Sequence, residues 1–176
     1  MSESNGTKNL LATSMKKLMS EKSFAKISIT DICDGCGMNR KSFYYHFKDK
    51  YDLMNWIFYS DFIMLIGTTK CDSGWDLIEA VCGMFYKDQK FYKCAFKTEG
   101  QNSMREYLLE SMLPIVNYLF DDVAEDKVFG EASVKVLCEA YIIAVRYWLD
   151  SGCLYPPHEF VESIKKLIKR LADEQT

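Results

Sequence analysis

The stretch "ISITDICDGCGMNRKSFYYHFKDKYDLM", residues 27–54, decides the fold. Ser28-x-x-Asp31 is a capping box, which opens a short helix with Ile29 and Ile32 turned inward. Gly37 ends that helix, because glycine takes the left-handed turn that other residues resist. Asn39 then caps another helix, anchored by Phe43 and Phe47 four residues apart. Asp49-x-x-Asp52 starts the next. Two short helices joined by a glycine turn have the grammar of a helix-turn-helix, whose second helix enters the major groove of DNA.

The side chains of this stretch suit that task. Arg40 and Lys41 reach guanine edges or phosphates, and Ser28, Thr30, Asn39 and Ser42 hydrogen-bond bases or backbone. Tyr44, Tyr45, His46 and Lys50 brace the sugar-phosphate chain. Charge supports the same reading. Residues 1–50 hold eight Lys and one Arg against five acids, while the whole chain totals −3, so a basic head of +4 precedes an acidic body of −7. Phosphates attract the first and are repelled by the second.

With 176 residues, 48% hydrophobic and 27% charged, the chain is long enough to bury about 70% of its unfolded surface without a disulfide or metal staple. No apolar run approaches the roughly 20 residues that span a bilayer, and the start MSESNGTK does not read as a signal peptide. The expected location is cytoplasmic. Seven irregularly spaced cysteines do not form a secreted disulfide framework.

The fold class expected is all-α, with about nine helices. A first helix runs from Thr7 to about Glu21 with Leu11, Met15, Leu18 and Met19 on one face. A fourth, "KYDLMNWIFYSDFIMLI", is apolar on nearly every side, as in a buried or bridging helix. A fifth covers Trp75 to Tyr86, a short sixth follows, and Ser103 caps a seventh that Pro114 should bend or divide. Asp121 and Asp122 fall at a helix end. The eighth, about 126–151, has an inner stripe of Val134, Leu137, Cys138, Tyr141, Ile142, Val145, Trp148 and Leu149. Its other side, Ala140, Ile143, Ala144 and Tyr147, wants a partner. The ninth carries Phe160, Ile164, Leu167, Ile168 and Leu171 as a stripe.

At this point the stretch resembles the DNA-binding signature of TetR-family transcriptional regulators, over about residues 8–60. Ile32, Gly37, Phe43, Tyr44, Tyr45, His46, Phe47, Lys50 and Leu53 carry the likeness. Lys41 stands where many relatives have glycine, and Cys33 and Cys36 where many have alanine. "FYKCAFKTEGQNSMREYL" and "NRKSFYYHFKDKYDLMNWI" are similar to the DhaS-type subgroup. The resemblance implies a homodimer of two-part chains, with residues 1–50 as the three-helix DNA-binding domain and 51–176 as the helical effector-binding and dimerisation domain. It implies double-stranded palindromic operator DNA as partner, an effector of unknown identity, and a protein coactivator as a further partner. The dimer contact would fall on the last two helices, through Ala140, Ile143, Ala144, Tyr147, Ile164 and Ile168.

Aromatic residues of the body are candidates for an effector pocket: Trp75, Phe85, Tyr86, Phe96, Tyr107, Tyr118, Tyr141 and Trp148, with Phe91 and Tyr92 beside them. Aromatics at helical spacing are also ordinary core, and "TEGQNS" at 98–103 is either a pocket rim or a loop. Cys33 and Cys36 form a C-x-x-C pair with two readings. As small buried hydrophobes they support the turn; as a thiol or metal sensor they would need ligands that a single pair and the distant His158 do not supply. A helical protein-interaction module is a third reading of the chain. There is no nucleophile elbow, P-loop, H-E-x-x-H or Gly-rich dinucleotide turn, so neither an enzyme nor a cofactor or metal is expected.

Overall fold

The computed structural model describes the backbone of residues 2–100, 103–120 and 127–173, and side chains within 5–100, 103–113 and 132–170. Among the described residues the secondary structure is entirely helical. In order these are α1 (Ser2–Glu21), a 3-10 turn (Phe24–Lys26), α2 (Ile29–Asp34), α3 (Arg40–His46), α4 (Lys50–Thr68), α5 (Gly74–Lys87), α6 (Gln89–Ala95), α7 (Met104–Phe120), α8 (Lys127–Asp150) and α9 (Pro157–Asp173).

Local chemistry sets the boundaries. Ser28 and Asp31 close the capping box in both directions, and Asn39, Asp49 and Ser73 each accept a main-chain N–H at the start of α3, α4 and α5. Ser103 does the same for α7, accepting from the N–H of Glu106 at 3.3 Å. Gly37, at φ +67°, lets Met38 N–H reach back to the Cys33 carbonyl at 2.9 Å, so α2 ends in a Schellman turn. Gly152, at φ +76°, closes α8 in the same way, with Cys153 N–H on the Trp148 carbonyl at 2.9 Å.

One core runs through the molecule. Leu11, Met15, Ile32, Phe43 and Phe47 fill the head, Leu53, Ile57 and Phe58 of α4 continue it, and Phe85, Tyr92, Ile142, Val145 and Trp148 fill the body. Burying each large apolar side chain stabilises by about 1.5–3 kcal/mol. Within the body α7 packs on α8 and α5 on α9, while α1 packs on both α2 and α6 and α4 on both α1 and α5. Head and body therefore meet across α1, α4 and α6.

Four expectations need correction or limits. α4 is buried only in its first half; Tyr59, Ile63, Met64 and Ile66 are exposed, because the helix runs past the elements that cover Leu53 to Phe58. Leu137 is 47% exposed and does not join the inner stripe of α8, since its neighbour Cys138 takes the core-facing position. α7 continues as one helix through Pro114. Asp121 and Asp122 lie outside the described residues, as do the side chains of Tyr118 and Leu171.

Candidate nucleic-acid interface

The placement of α3 begins with α1. Ser14, buried on α1, donates from Oγ to the Ile32 carbonyl at 2.7 Å and holds α2 against it. Gly35 makes that approach possible: a Cβ there would stand 2.3 Å from Ser14 Oγ. The two glycines of "CDGCG" thus have different tasks, Gly35 for close packing and Gly37 for the turn. Asp31 is bound by the Ser28 main-chain N–H, by Lys22 at 3.0 Å and by the Ser28 hydroxyl, which together bring its carboxyl down to about 2.

After the turn, Asn39 Oδ1 accepts the Ser42 N–H at 2.8 Å and the Ser42 hydroxyl at 3.2 Å. Asn39 and Ser42, two of the expected DNA-contacting side chains, are therefore engaged in shaping the helix start, as Ser28 is at α2. Phe43 and Phe47 are buried and fix the rotation of α3 about its axis. That rotation leaves Arg40, Lys41, Tyr44 and Tyr45 outward, with Tyr44 50% and Tyr45 82% exposed. A tyrosine left so open on a seven-residue helix buries little apolar surface within the chain. Arg40 lies over the Tyr44 ring at 5.8 Å and donates to its hydroxyl at 3.4 Å, while His46 meets Tyr45 edge-on at 4.9 Å. Thr30 is exposed on the first turn of α2.

Lys50 has partners within the chain that its place in the motif did not suggest. Its ammonium donates to the carbonyls of Phe24 and Ile27, both at 2.8 Å, and of Ala25 at 3.4 Å, and it sits 4.5 Å from the Phe24 ring. An ammonium has three protons to donate, and these carbonyls take them. Burial lowers its pKa. Lys50 thus ties the start of α4 to the turn between α1 and α2.

Sequence reasoning also missed a polar junction between head and body. Lys16 of α1 reaches Asp61 of α4 at 2.8 Å and Asp88 between α5 and α6 at 2.6 Å, and Tyr92 of α6 donates to Asp61 at 2.8 Å. Burial would depress the Lys16 pKa, but the two carboxylates outweigh it and the pKa is raised. Partners so distant along the chain leave no local signal.

Cys33 is buried in the head core, and Cys36 points its Sγ back at the Ile32 carbonyl, 3.3 Å away. Burial raises both thiols. Among the described residues no three His, Cys, Asp or Glu side chains are grouped to hold a metal ion. This environment does not favour the sensor reading, since reactive thiols need a lowered pKa.

The aromatics of the body separate into several ring clusters. Phe85 packs on Tyr92 at 4.7 Å and Phe96 at 5.5 Å; Trp148 stacks on Phe160 at 4.7 Å and more loosely on Tyr86 at 6.2 Å. Tyr107 meets Phe58, Trp75 lies under Lys165, and Tyr141 places its hydroxyl 3.3 Å from Cys82 Sγ. These contacts are those of core packing. A groove of about 670 Å³ opens elsewhere, between the end of α1, the 3-10 turn and α6, and none of the eight expected effector residues lines it.

The outer face of α8 is apolar and uncovered. Ile143 and Tyr147 are exposed, Tyr147 by 73%, with Ala140 exposed and Ala144 partly so; Val136 and Leu137 extend the face. On α9, Leu167 and Ile168 are exposed and Ile164 partly so. Among the described residues no helix is long and apolar enough to cross a membrane.

Comparison with known proteins agrees with this geometry. Residues 11–56 match the model of bacterial regulatory proteins of the tetR family, and residues 75–170 match a model of a transcriptional regulator C-terminal region. The HTH-type dhaKLM operon transcriptional activator DhaS of Lactococcus lactis subsp. lactis (strain IL1403) is 33% identical over 75 residues, which span 43% of this chain and 40% of that protein. Among solved structures, a dihydroxyacetone kinase operon activator DhaS superposes with a TM-score of 0.68 at 20% identity, covering 94% of this chain and 95% of the other. NalD, the secondary repressor of the MexAB-OprM multidrug efflux pump in Pseudomonas aeruginosa, gives 0.68 at 17% identity, covering 96% of each chain. At these identities the structural likeness establishes the fold.

Proposed function

The chain belongs to the TetR family of bacterial transcriptional regulators, and on that premise we propose that it binds a palindromic operator as a homodimer, with α3 as its reading helix. The single observation that carries this assignment is the outward set Arg40, Lys41, Tyr44 and Tyr45 on a helix whose other face is locked by Phe43 and Phe47. Arg40 and Lys41 supply charge for base edges and phosphates at the helix N-terminal end, and the two tyrosines supply flat rings and hydroxyls for the sugar-phosphate walls. Thr30 and His46 flank this set. Ser28, Asn39 and Ser42 act mainly by capping, and Lys50 by holding the head together.

Residues 1–50 serve as the DNA-binding unit and 51–176 as the body, with α4 starting at the boundary and belonging to both packings. Two copies pair through the exposed faces of α8 and α9, where Ala140, Ile143, Ala144, Tyr147, Ile164 and Ile168 close on their equivalents by two-fold symmetry. That pairing sets the two α3 helices into successive major grooves, about 34 Å or more apart. The relatives include an activator and a repressor by description, so DhaS-like activation and NalD-like repression are both outcomes the same head can serve. An effector, small molecule or protein, acts by favouring one spacing of the two heads, and about 1–3 kcal/mol of coupling is enough.

The test is an operator selected from random DNA by the intact protein, followed by Arg40→Ala and Tyr45→Ala together. Loss of operator binding with an unchanged sedimentation coefficient supports the reading; unchanged affinity refutes the assignment of α3.

A further inference from the structure

From the contact between Arg40 and Tyr44 we infer that Tyr44 is a positioning residue for sequence reading: it holds the Arg40 guanidinium ready for a guanine, so that each operator half-site carries a guanine whose selection depends on Tyr44 as well as on Arg40. The inference rests on the assignment of α3 above and adds the base that is read and the side chain that makes the reading selective.

The arrangement is built outward from the core. Phe43 is fully buried, and its ring meets that of Tyr44 edge-on at 5.6 Å, which fixes one side of a tyrosine that is otherwise half exposed. Arg40 stands four residues earlier on α3, the spacing at which side chains of a helix meet. Its guanidinium lies 5.8 Å from the centre of the Tyr44 ring, within the range of a cation–π contact, and donates to the Tyr44 hydroxyl at 3.4 Å. Among the described residues no carboxylate pairs with Arg40, so its charge is held by a neutral partner and stays available to DNA. Lys41 is also exposed, and its compact ammonium on a flexible stem suits a phosphate better than a base edge.

Guanine presents N7 and O6 side by side in the major groove, and a planar guanidinium meets them with two parallel hydrogen bonds. Of the five N–H groups of Arg40 one goes to Tyr44, and the four that remain are enough for that pair. Adenine offers an amino donor in place of O6 and loses the second bond. The Tyr44 hydroxyl, having accepted from Arg40, keeps its own proton for a phosphate oxygen. A phosphate contact then fixes the ring, and the ring fixes the guanidinium. An arginine laid on a ring in advance also loses less rotamer freedom on binding than a free one.

The experiment reads base preference as well as affinity. The intact protein, Arg40→Ala, Tyr44→Ala and Tyr44→Phe each select operators from a random DNA pool, at low salt so that weakened variants still bind. The guanine read by Arg40 is the position whose preference disappears in Arg40→Ala. Exchanging it for adenine in both half-sites should weaken wild-type binding at least about tenfold, and binding by Tyr44→Ala about threefold or less. Preferences elsewhere in the half-site should persist in Tyr44→Ala, and Tyr44→Phe, which keeps the ring, should lie between. Circular dichroism checks that each variant is folded. If Tyr44 served only as a phosphate contact, its loss would weaken all sequences alike and leave the tenfold ratio in place. That result overturns the inference, as does an operator with no guanine that depends on Arg40. A protein that enriches no sequence at all overturns the assignment of α3 as well, so the two failures are told apart.

Discussion

Lys16 Nζ stands 2.8 Å from Asp61 Oδ2 and thereby joins the first helix of the head to the fourth helix of the molecule. Asp88 receives the same ammonium and Tyr92 donates to the same carboxylate, so four side chains from α1, α4, α6 and the α5–α6 corner share one polar knot. Replacing Lys16 by Met leaves Asp61 and Asp88 facing each other without a cation. Because the pair is only partly buried, the expected loss is about 1–3 kcal/mol, below the full cost of a deeply buried pair, measured by urea unfolding.

The same knot has a pH signature. Lys16 has a raised pKa in the folded protein, and so does Tyr92, which burial first and then Asp61 push well above the ordinary range. For a group whose folded pKa is raised, the stabilisation is fully present below the unfolded value and disappears as pH rises through the folded one. Stability should therefore fall on the alkaline side above about pH 10, and the fall should be shallower in Tyr92→Phe, followed by thermal melts against pH. Asp31 behaves oppositely. Its carboxyl is held at about 2 by the Ser28 N–H and by Lys22, so its contribution is present above pH 4 and is lost as pH drops toward 2. Carbon NMR titration of Asp31 reads this directly.

Gly35→Ala places a methyl 2.3 Å from Ser14 Oγ, so either the Ser14 hydroxyl rotates away and gives up its bond to the Ile32 carbonyl or α1 and α2 separate. The expected cost is about 1–3 kcal/mol of stability. Ser14→Gly in the same chain relieves the contact but removes the bond to the Ile32 carbonyl, so recovery should be partial. Thermal denaturation of the wild type, the single variant and the double variant distinguishes this from a purely local helix effect, in which Ser14→Gly would bring no recovery.

Lys41 and Lys50 should separate cleanly. Lys41→Ala is expected to leave the fold intact and to reduce the slope of log affinity against log salt by about one. Lys50→Ala is expected to lower stability by about 1–2 kcal/mol, because three carbonyls lose their donor, with that slope retained. A reversed pattern would return Lys50 to the phosphate-contacting set.

Ile143→Asp with Tyr147→Asp should convert the protein to monomer in sedimentation, since both side chains lie on the uncovered face of α8. A dimer that persists in this variant places the contact elsewhere.

What the sequence disclosed follows from the range of the interactions involved. The capping box of Ser28 and Asp31, the cap at Asn39 and the turn at Gly37 are contacts within a few residues, and each stands in the structure as read. Phe43 and Phe47 share one face by helical geometry alone, so the outward face of α3 was legible too. The inward partners of Lys50 left no local signal because they lie 23 to 26 residues earlier, where a loop returns beside it. Gly35 carried no legible signal, for its reason is Ser14 on another helix. Leu137 fits an apolar stripe by spacing, yet the heptad face it shares with Val136 and Ala140 faces out. The body aromatics fit a pocket pattern and, more readily, a core pattern, and the ring contacts of Phe85 with Tyr92 and of Trp148 with Phe160 are packing contacts that spacing alone could not show.

The most direct test of the account is DNA selection from a random pool by the wild-type protein, with the enriched sequence then measured against Arg40→Ala/Tyr45→Ala. The expected result is a palindrome with two half-sites about one helical turn or more apart, and loss of binding by the variant while it remains a folded dimer. No enriched sequence, or a variant that binds it as tightly as the wild type, would contradict the account.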